Sequence, residues 1–265
     1  MKQTLLITTA LIITSLMMIV GCSKEPINID TLVENSIGQF ETRGDDDVYT
    51  DNTYSGPVFS LYDDGKKKAE GFLKSGWKDG KWTEWHENGQ KKTEKSYNEY
   101  EPNGKWTSWY ENGQKEEEET FNYGEKVGKS TMWHKNGQKK SEGTFKHGNE
   151  DGKFTFWSPD GKERSELVYK DGEPWNGLYS EWFENGNKMY AKTYKDGKTD
   201  GLYYWYYTNG QMMEKGHFKD GKRDGLWTNW YDNGQKLGEE TWKDGERGEW
   251  TRWDEDGNVK SHSQR

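Results

Sequence analysis

Five histidines, His86, His134, His147, His217 and His262, are the side chains best suited to move protons or hold a metal near neutral pH. A nucleophilic triad or a metal centre needs at least one of them tied to partners at fixed positions. The chain instead places them where other copies of an internal repeat carry unrelated residues. His86 and His134 share a slot with Tyr110, Phe183, Tyr207 and Tyr231, and His147 shares one with Asp171, Asp196, Asp220 and Asp244. A group that Tyr, Phe or Asp can replace serves the fold, so no catalytic or metal-binding residue is assigned. The glutamates point the same way: Glu70, Glu94, Glu118, Glu142, Glu166 and Glu239 recur five residues after a repeated glycine, often near Lys67, Lys91, Lys115, Lys139 or Lys236. Such regularity predicts cross-strand charge ladders on a wet face, whereas a glycosidase pair would be a single irregular event. Asp45, Asp46 and Asp47 are adjacent and lack the alternating spacing of a calcium loop. No cofactor is implied.

These residues sit on a repeat. Nine times, two glycines stand nine residues apart: the leading ones are Gly56, Gly80, Gly104, Gly128, Gly152, Gly177, Gly201, Gly225 and Gly248, and the closing ones run from Gly65 to Gly257. Closing glycines recur every 24 residues, with 25 from Gly161 to Gly186 and 23 from Gly234 to Gly257. Those length changes predict a tolerant loop. The closing glycine follows Asn or Asp, as at Asn88, Asn112, Asn136, Asn185, Asn209 and Asn233, which predicts a tight two-residue hairpin turn with positive φ. A looser turn is expected at stretches such as 195–201 and 219–225. Each unit therefore reads as two strands and two turns.

With 29% hydrophobic and 32% charged residues, aliphatic content alone suggests disorder, but 15 Trp, 16 Tyr and 9 Phe in register can fill a thin core. Two residues after the leading glycine stand Trp82, Trp106, Phe154, Tyr179, Tyr203, Trp227 and Trp250, with Ser130 and Val58 as exceptions. Five residues after it stand Trp85, Trp109, Trp133, Trp157, Trp182, Tyr206, Trp230 and Trp253. Offsets of two and five have opposite parity, so the two ladders face opposite sides of a sheet. The expected fold is all-β: an elongated single-layer meander of antiparallel hairpins over 46–265, twisted so that one ladder lines its concave side and long Lys and Glu stems cover the other.

The unit ENGQKKxEGxFKDGKxDGxWxxWYENG, quoted best by 136–146 and 219–235, resembles the MORN-repeat variant of bacterial proteins described as YwqK-family antitoxins. The resemblance implies a repeat scaffold and an antitoxin or immunity role toward a toxin. At the N-terminus, Lys2, the apolar run 5–20 and the sequence Ile19-Val20-Gly21-Cys22 resemble a bacterial lipoprotein signal with its lipobox. That likeness implies a signal peptide over 1–21, lipid on Cys22, a tether over 22–45 and an envelope location, in the outer membrane of a diderm source. Cys22 is the sole cysteine, so no disulfide can form within the chain. Removing 1–21 takes away one lysine and no acid, moving the net charge from −9 to −10. An acidic chain repels nucleic acid and anionic lipid, so membrane contact falls to the acyl chains and nucleic acid is not an expected partner.

Departures from the repeat mark where specific binding is expected. Tyr203, Tyr204, Trp205, Tyr206 and Tyr207 are five consecutive aromatics, with Tyr190, Met212 and Met213 in neighbouring strands, and the stretch 173–176 adds Trp175 at an expected loop tip. The partner-binding residues read from this pattern are Tyr190, Tyr203, Tyr204, Trp205, Tyr207, Met212 and Trp175. The expected function is non-enzymatic binding of a protein. Glycan binding through aromatic rows is the alternative.

Overall fold

The computed structural model describes residues 25–34, 39–43 and 49–263. Residues 1–21, Cys22 and Asp45 to Asp47 lie outside the described residues. The chain is all-β, and the repeats form one open sheet in which successive hairpin strands pair antiparallel. Gly201–Tyr206, part of the strand Lys198–Tyr206, pairs antiparallel with Met212–Lys219, which pairs in turn with Lys222–Arg223 and Gly225–Trp230. The same register step recurs from Gly56–Leu61 to Val259–Ser263. Among the described residues one pairing of this sheet is parallel, between Ile27–Asn28 and Gly56–Leu61. Leu32–Glu34, Phe40–Arg43 and Tyr49–Thr53 form a second, three-stranded sheet. The stretch expected as a tether thus carries strands, and Ile27, Ile29, Leu32 and Phe40 pack on the buried cluster Tyr54, Val58, Leu73 and Trp82. They cover the first edge of the ladder with apolar side chains.

The two turn types are exchanged relative to the sequence expectation. At Asn88-Gly89 the Gly89 N–H donates to the His86 carbonyl and the His86 N–H to the Gln90 carbonyl, both at 2.8 Å. Gly89 alone has positive φ, at 85°, and the register shifts between Glu84 and Trp85. This is a three-residue loop closed by a glycine bulge, so Asn is not in the left-handed region. The tight two-residue turn is at Asp220-Gly221, with φ of 48° and 84° and Lys219 paired to Lys222. The leading glycine then bulges the strand just after it.

Length changes also fall elsewhere than expected. The extra residue of 173–177 is absorbed inside the strand Glu173–Trp182, where Val168 pairs with Asn176 and Tyr169 with Pro174, leaving Trp175 bulged. Beyond it the pairing of these two strands stops at Leu167 and Gly177, whereas the junction after Met212–Lys219 carries mid-strand pairs at Glu214–Asn229 and Lys215–Thr228.

Candidate protein-binding surface

Most polar side chains of the repeat are occupied in joining one unit to the next. Six residues after the leading glycine, Tyr62, Tyr110, Tyr207 and Tyr231 donate their hydroxyls to the carbonyls of Trp85, Trp133, Trp230 and Trp253 at 2.6 to 3.0 Å. His86 and His134 place Nε2 at 2.8 and 3.0 Å from the carbonyls of Trp109 and Trp157. A carbonyl only accepts, so Nε2 carries the proton and these histidines act as tyrosine-like donors. The turn asparagines form a second ladder: Asn88, Asn112, Asn136, Asn185 and Asn209 each donate Nδ2 to a carbonyl in the next turn, at 2.6 to 2.8 Å. Asp lacks that donor. Both ladders break together at Ser158 and Asp160, where Ser158 Oγ turns inward to Asp160 at 2.7 Å, and the following unit offers Phe183, which cannot donate. Across this seam Glu163 accepts from Trp182 at 3.2 Å and pairs with Lys188 at 2.8 Å.

One face of the sheet carries the residues at offsets two and four. Three strand glycines make room for its rings: a Cβ on Gly71, Gly143 or Gly216 would lie 2.2 to 2.3 Å from Trp82, Phe154 or Trp227. Trp82, Trp106 and Trp227 also donate Nε1 to backbone carbonyls of the preceding strand, at 2.8 to 3.2 Å. From Phe145 the rings touch in sequence through Phe154, Phe156, Tyr179, Tyr190, Tyr203 and Trp227, with centroids 4.9 to 6.4 Å apart. Carboxylates are threaded among them. The Tyr179 hydroxyl donates to Glu181, and burial, then Glu181, push that hydroxyl far up, so it stays a donor. Arg223 binds Glu214 at 3.0 Å and stacks 3.8 Å above Trp227.

Earlier on the same face the ring is missing. Ser130 replaces it, and Glu117, Glu119 and Lys126 cluster there, with Lys126 Nζ 2.6 Å from Glu119 and 3.6 Å from Glu117. Burial, then the neighbouring Glu119, push Glu117 up to about 7. Burial opposes ionisation of Glu119 too, but the bonds from Glu117 and Lys126 outweigh it and hold Glu119 low. The two carboxyls share a proton and a lysine.

The opposite face carries offsets one, three and five, and it changes character across the seam. Before it, Lys81, Lys105, Lys129 and Lys153 pair with Glu94, Glu118, Glu142 and Glu166 at 2.8 to 3.1 Å. Bonds from Lys91 and Lys139 hold Glu94 and Glu142 below the usual carboxylate range. On both sides of the seam lysines lie 5.0 to 5.9 Å over the ring ladder, Lys67 on Trp85, Lys115 on Trp133 and Lys236 on Trp253 among them. After the seam the lysine slot at offset one holds Leu178, Leu202 and Leu226, which are 37%, 49% and 55% exposed. Tyr204 replaces the threonine of offset three, Met212 replaces the ring-covering lysine, and Ala191 and Lys215 stand where the glutamates were.

The residues expected to bind a partner divide between these faces. Tyr190, Tyr203 and Trp205 share the carboxylate face; Tyr190 lies edge-on to Tyr203 at 5.7 Å and to Trp205 at 5.5 Å, and Trp205 is 40% exposed. Tyr204, stacked on Tyr206 at 6.3 Å, and Met212, paired with Tyr206, belong to the other face. Tyr207 is spent on the Trp230 carbonyl. Trp175 is in a strand and not at a loop tip: its ring packs 3.2 Å from where a Cβ on Gly197 would stand, and Lys170 lies 4.8 Å over it. Sequence reading missed Leu178, Leu202 and Leu226, which were legible as the slot of Lys81, Lys105, Lys129 and Lys153. Among the described residues no group of three or more His, Cys, Asp or Glu is placed to hold a metal.

Comparison with known proteins bears on the architecture. No curated protein matches the chain. Among solved structures, those described as TcdB2-TccC3-Cdc42 and TcdB2-TccC3-TEV are 13% identical, with TM-scores of 0.20 and 0.21; this chain is covered to 80% and 73%. It spans only 14% and 11% of those chains, a likeness too slight to carry an argument. The MORN repeat variant family matches at 78–99, 102–123, 126–147, 175–196, 199–220, 223–244 and 246–264, leaving out the seam unit between 147 and 175. With more than half of its length in seven such matches, the chain belongs to the MORN repeat variant family.

Proposed function

We propose that this protein is a non-enzymatic repeat scaffold, held at the cell envelope by lipid on Cys22, that binds a protein partner through the units after the seam. One observation carries the reading: the departures from the repeat are concentrated in consecutive units and put large apolar side chains in slots that elsewhere are mostly charged or polar, at Leu178, Leu202, Leu226, Tyr204 and Met212 on one face and Trp205 on the other. Large exposed apolar side chains in adjoining positions mark association surfaces. His86 and His134 are hydrogen-bonded to carbonyls of the next unit, as the tyrosines of that slot are. Glycan binding would need open ring faces, and lysines lie over most rings of the offset-five ladder. The family likeness adds an antitoxin or immunity role, and a net charge of −9 suits a basic toxin.

The test is capture from the native source, followed by titration of the purified captured protein against the parent, Tyr204→Ser and Trp205→Ser. A partner whose affinity falls at least tenfold with either substitution is the expected result, and the affected variant names the face. A partner bound equally by all three, or none, contradicts the assignment. Fatty-acid labelling that disappears in Cys22→Ser tests the anchor.

A further inference from the structure

Among the described residues, seven of the eight junctions between repeat units are stitched through the middle of the strands. Just before the seam, for example, Ser141 pairs with Phe156 and Glu142 with Thr155. At the seam the equivalent partners are Ser165 with Glu181 and Glu166 with Ser180, and neither pair forms. The pairing that remains between Arg164–Lys170 and Glu173–Trp182 lies toward the two-residue turn, from Leu167 and Gly177 to Lys170 and Glu173. Where it stops, a Cβ on Gly177 would collide with the Glu166 carbonyl, so only glycine lets the two backbones approach there.

The unstitched middle holds two side chains that nothing satisfies. Ser165 Oγ and Ser180 Oγ lack a hydrogen-bond partner, in residues only 4% and 2% exposed. A buried hydroxyl left unbonded costs its desolvation in full, and contact with water returns that cost. Closing this junction is therefore less favourable than closing its neighbours. Toward the ring end both unit-to-unit ladders are broken at Ser158 and Asp160, and the fastening falls to Glu163, which accepts from Trp182 Nε1 at 3.2 Å and pairs with Lys188 at 2.8 Å. Phe156 meets Tyr179 edge-on at 4.9 Å. Lys135 and Glu184 also pair across the seam at 3.6 Å, but both are largely exposed and such a pair holds little.

We propose that the seam is a hinge that divides the ribbon into two stiff blocks, pivoting at the pairs from Leu167 to Lys170 and latched at its other end by Glu163. The proposal stands on strand pairing and goes beyond the binding reading: the units that carry Leu178, Leu202 and Leu226 change angle against those that carry Lys81, Lys105 and Lys129. In a repeat protein each unit packs on its neighbours alone, so one slack junction is enough to separate the blocks. Opening frees Glu163 and wets Ser165 and Ser180 while the turn-end pairs stay closed.

The experiment uses the full chain carrying Cys22→Ser, which removes the sole cysteine so that spin labels can be set on new ones. One pair, Gln138→Cys with Gln211→Cys, spans the seam; the other, Lys66→Cys with Gln138→Cys, spans the same number of units before it. Each pair is roughly 29 Å apart at strand spacings of about 4.8 Å. The distance distribution across the seam should be at least twice as wide as the other, and Glu163→Ala should widen it further while leaving the other unchanged. Amide hydrogen exchange at Ser165, Glu166, Ser180 and Glu181 should be at least tenfold faster than at Ser141, Glu142, Thr155 and Phe156 of the stitched junction. Equal widths, or equal exchange, would overturn the hinge. A distribution across the seam that Glu163→Ala leaves unchanged would overturn the latch.

Discussion

The units before and after the Ser158 seam share one backbone and differ in what they hold against water. Both use the bulged Asn-Gly loop, the two-residue Asp-Gly-type turn and the offset-five rings. Before the seam the wet face is closed by lysine–glutamate pairs, and the ring face contains a polar gap at Ser130 with Glu117, Glu119 and Lys126. After it the wet face gains leucine, tyrosine and methionine while keeping the Lys236–Glu239 pair, and the ring run that begins at Phe145 continues to Trp227. The repeat thus separates two tasks. Backbone and turn chemistry hold the ladder in every unit, which leaves the offset-one and offset-four positions free to vary, and the variation accumulates on one side of a seam.

That comparison can be broken at several points. The largest effect should come from filling a ring cradle on either side of the seam. Gly216→Val and Gly71→Val each drive a side chain into a Trp ring, and about 3 kcal/mol of stability should be lost in denaturant unfolding. Equal losses would show that the ring face has the same packing rule in both halves; a loss confined to one half would show that it does not. Next come the unit-to-unit ladders. Asn136→Asp removes the donor to the Pro159 carbonyl and should cost about 1 kcal/mol, whereas Phe183→Tyr should restore a donor where the ladder is broken and stabilise by a similar amount.

A smaller effect is pH-dependent. Because the folded Glu117 carboxyl is raised from 4.5 to about 7, its protonated form is the stable one, and its favourable contribution is complete below about 4.5 and lost as pH rises to about 7. Glu117→Gln should therefore raise the melting temperature at pH 8 and leave it unchanged below pH 4.5. A shift of equal size at both pH values would remove the shared-proton account. The smallest effect is expected from Leu202→Lys, which should change stability by no more than about 0.5 kcal/mol, since the slot is exposed. A loss above 2 kcal/mol would mean that the leucine row belongs to the core.

Much of the fold was legible because glycine spacing and ring parity are set by the two-residue period of a strand. The opposed faces of Trp82 and Trp85, the structural use of His86 and His134, and the Glu94 and Glu142 charge ladder all follow from it. The turns were read the wrong way round because Asn-Gly suits both a two-residue turn and a bulged three-residue one. Asn88 is chosen for its side chain, which accepts from the Gln90 N–H and donates to the Glu111 carbonyl, and not for positive φ. Trp175 was misplaced because an insertion reads as a loop until the bulge that absorbs it is seen. The five aromatics from Tyr203 to Tyr207 make both faces of their strand aromatic, as alternation requires, and Tyr207 passes into the turn, where its hydroxyl bonds the Trp230 carbonyl. The leucine row escaped notice because a single exposed leucine is unremarked in any sequence, and only three of them in a lysine slot form a surface.

The most direct test of the account is a titration of the purified native partner against three chains: the parent, the Leu178→Lys, Leu202→Lys, Leu226→Lys variant, and a variant with Lys81→Leu, Lys105→Leu and Lys129→Leu. The account predicts at least a tenfold loss of affinity, about 1.4 kcal/mol or more, in the first variant and parental affinity at the native site in the second. Unchanged affinity in the leucine-to-lysine variant, with a loss in the lysine-to-leucine one, would place binding before the seam and contradict it.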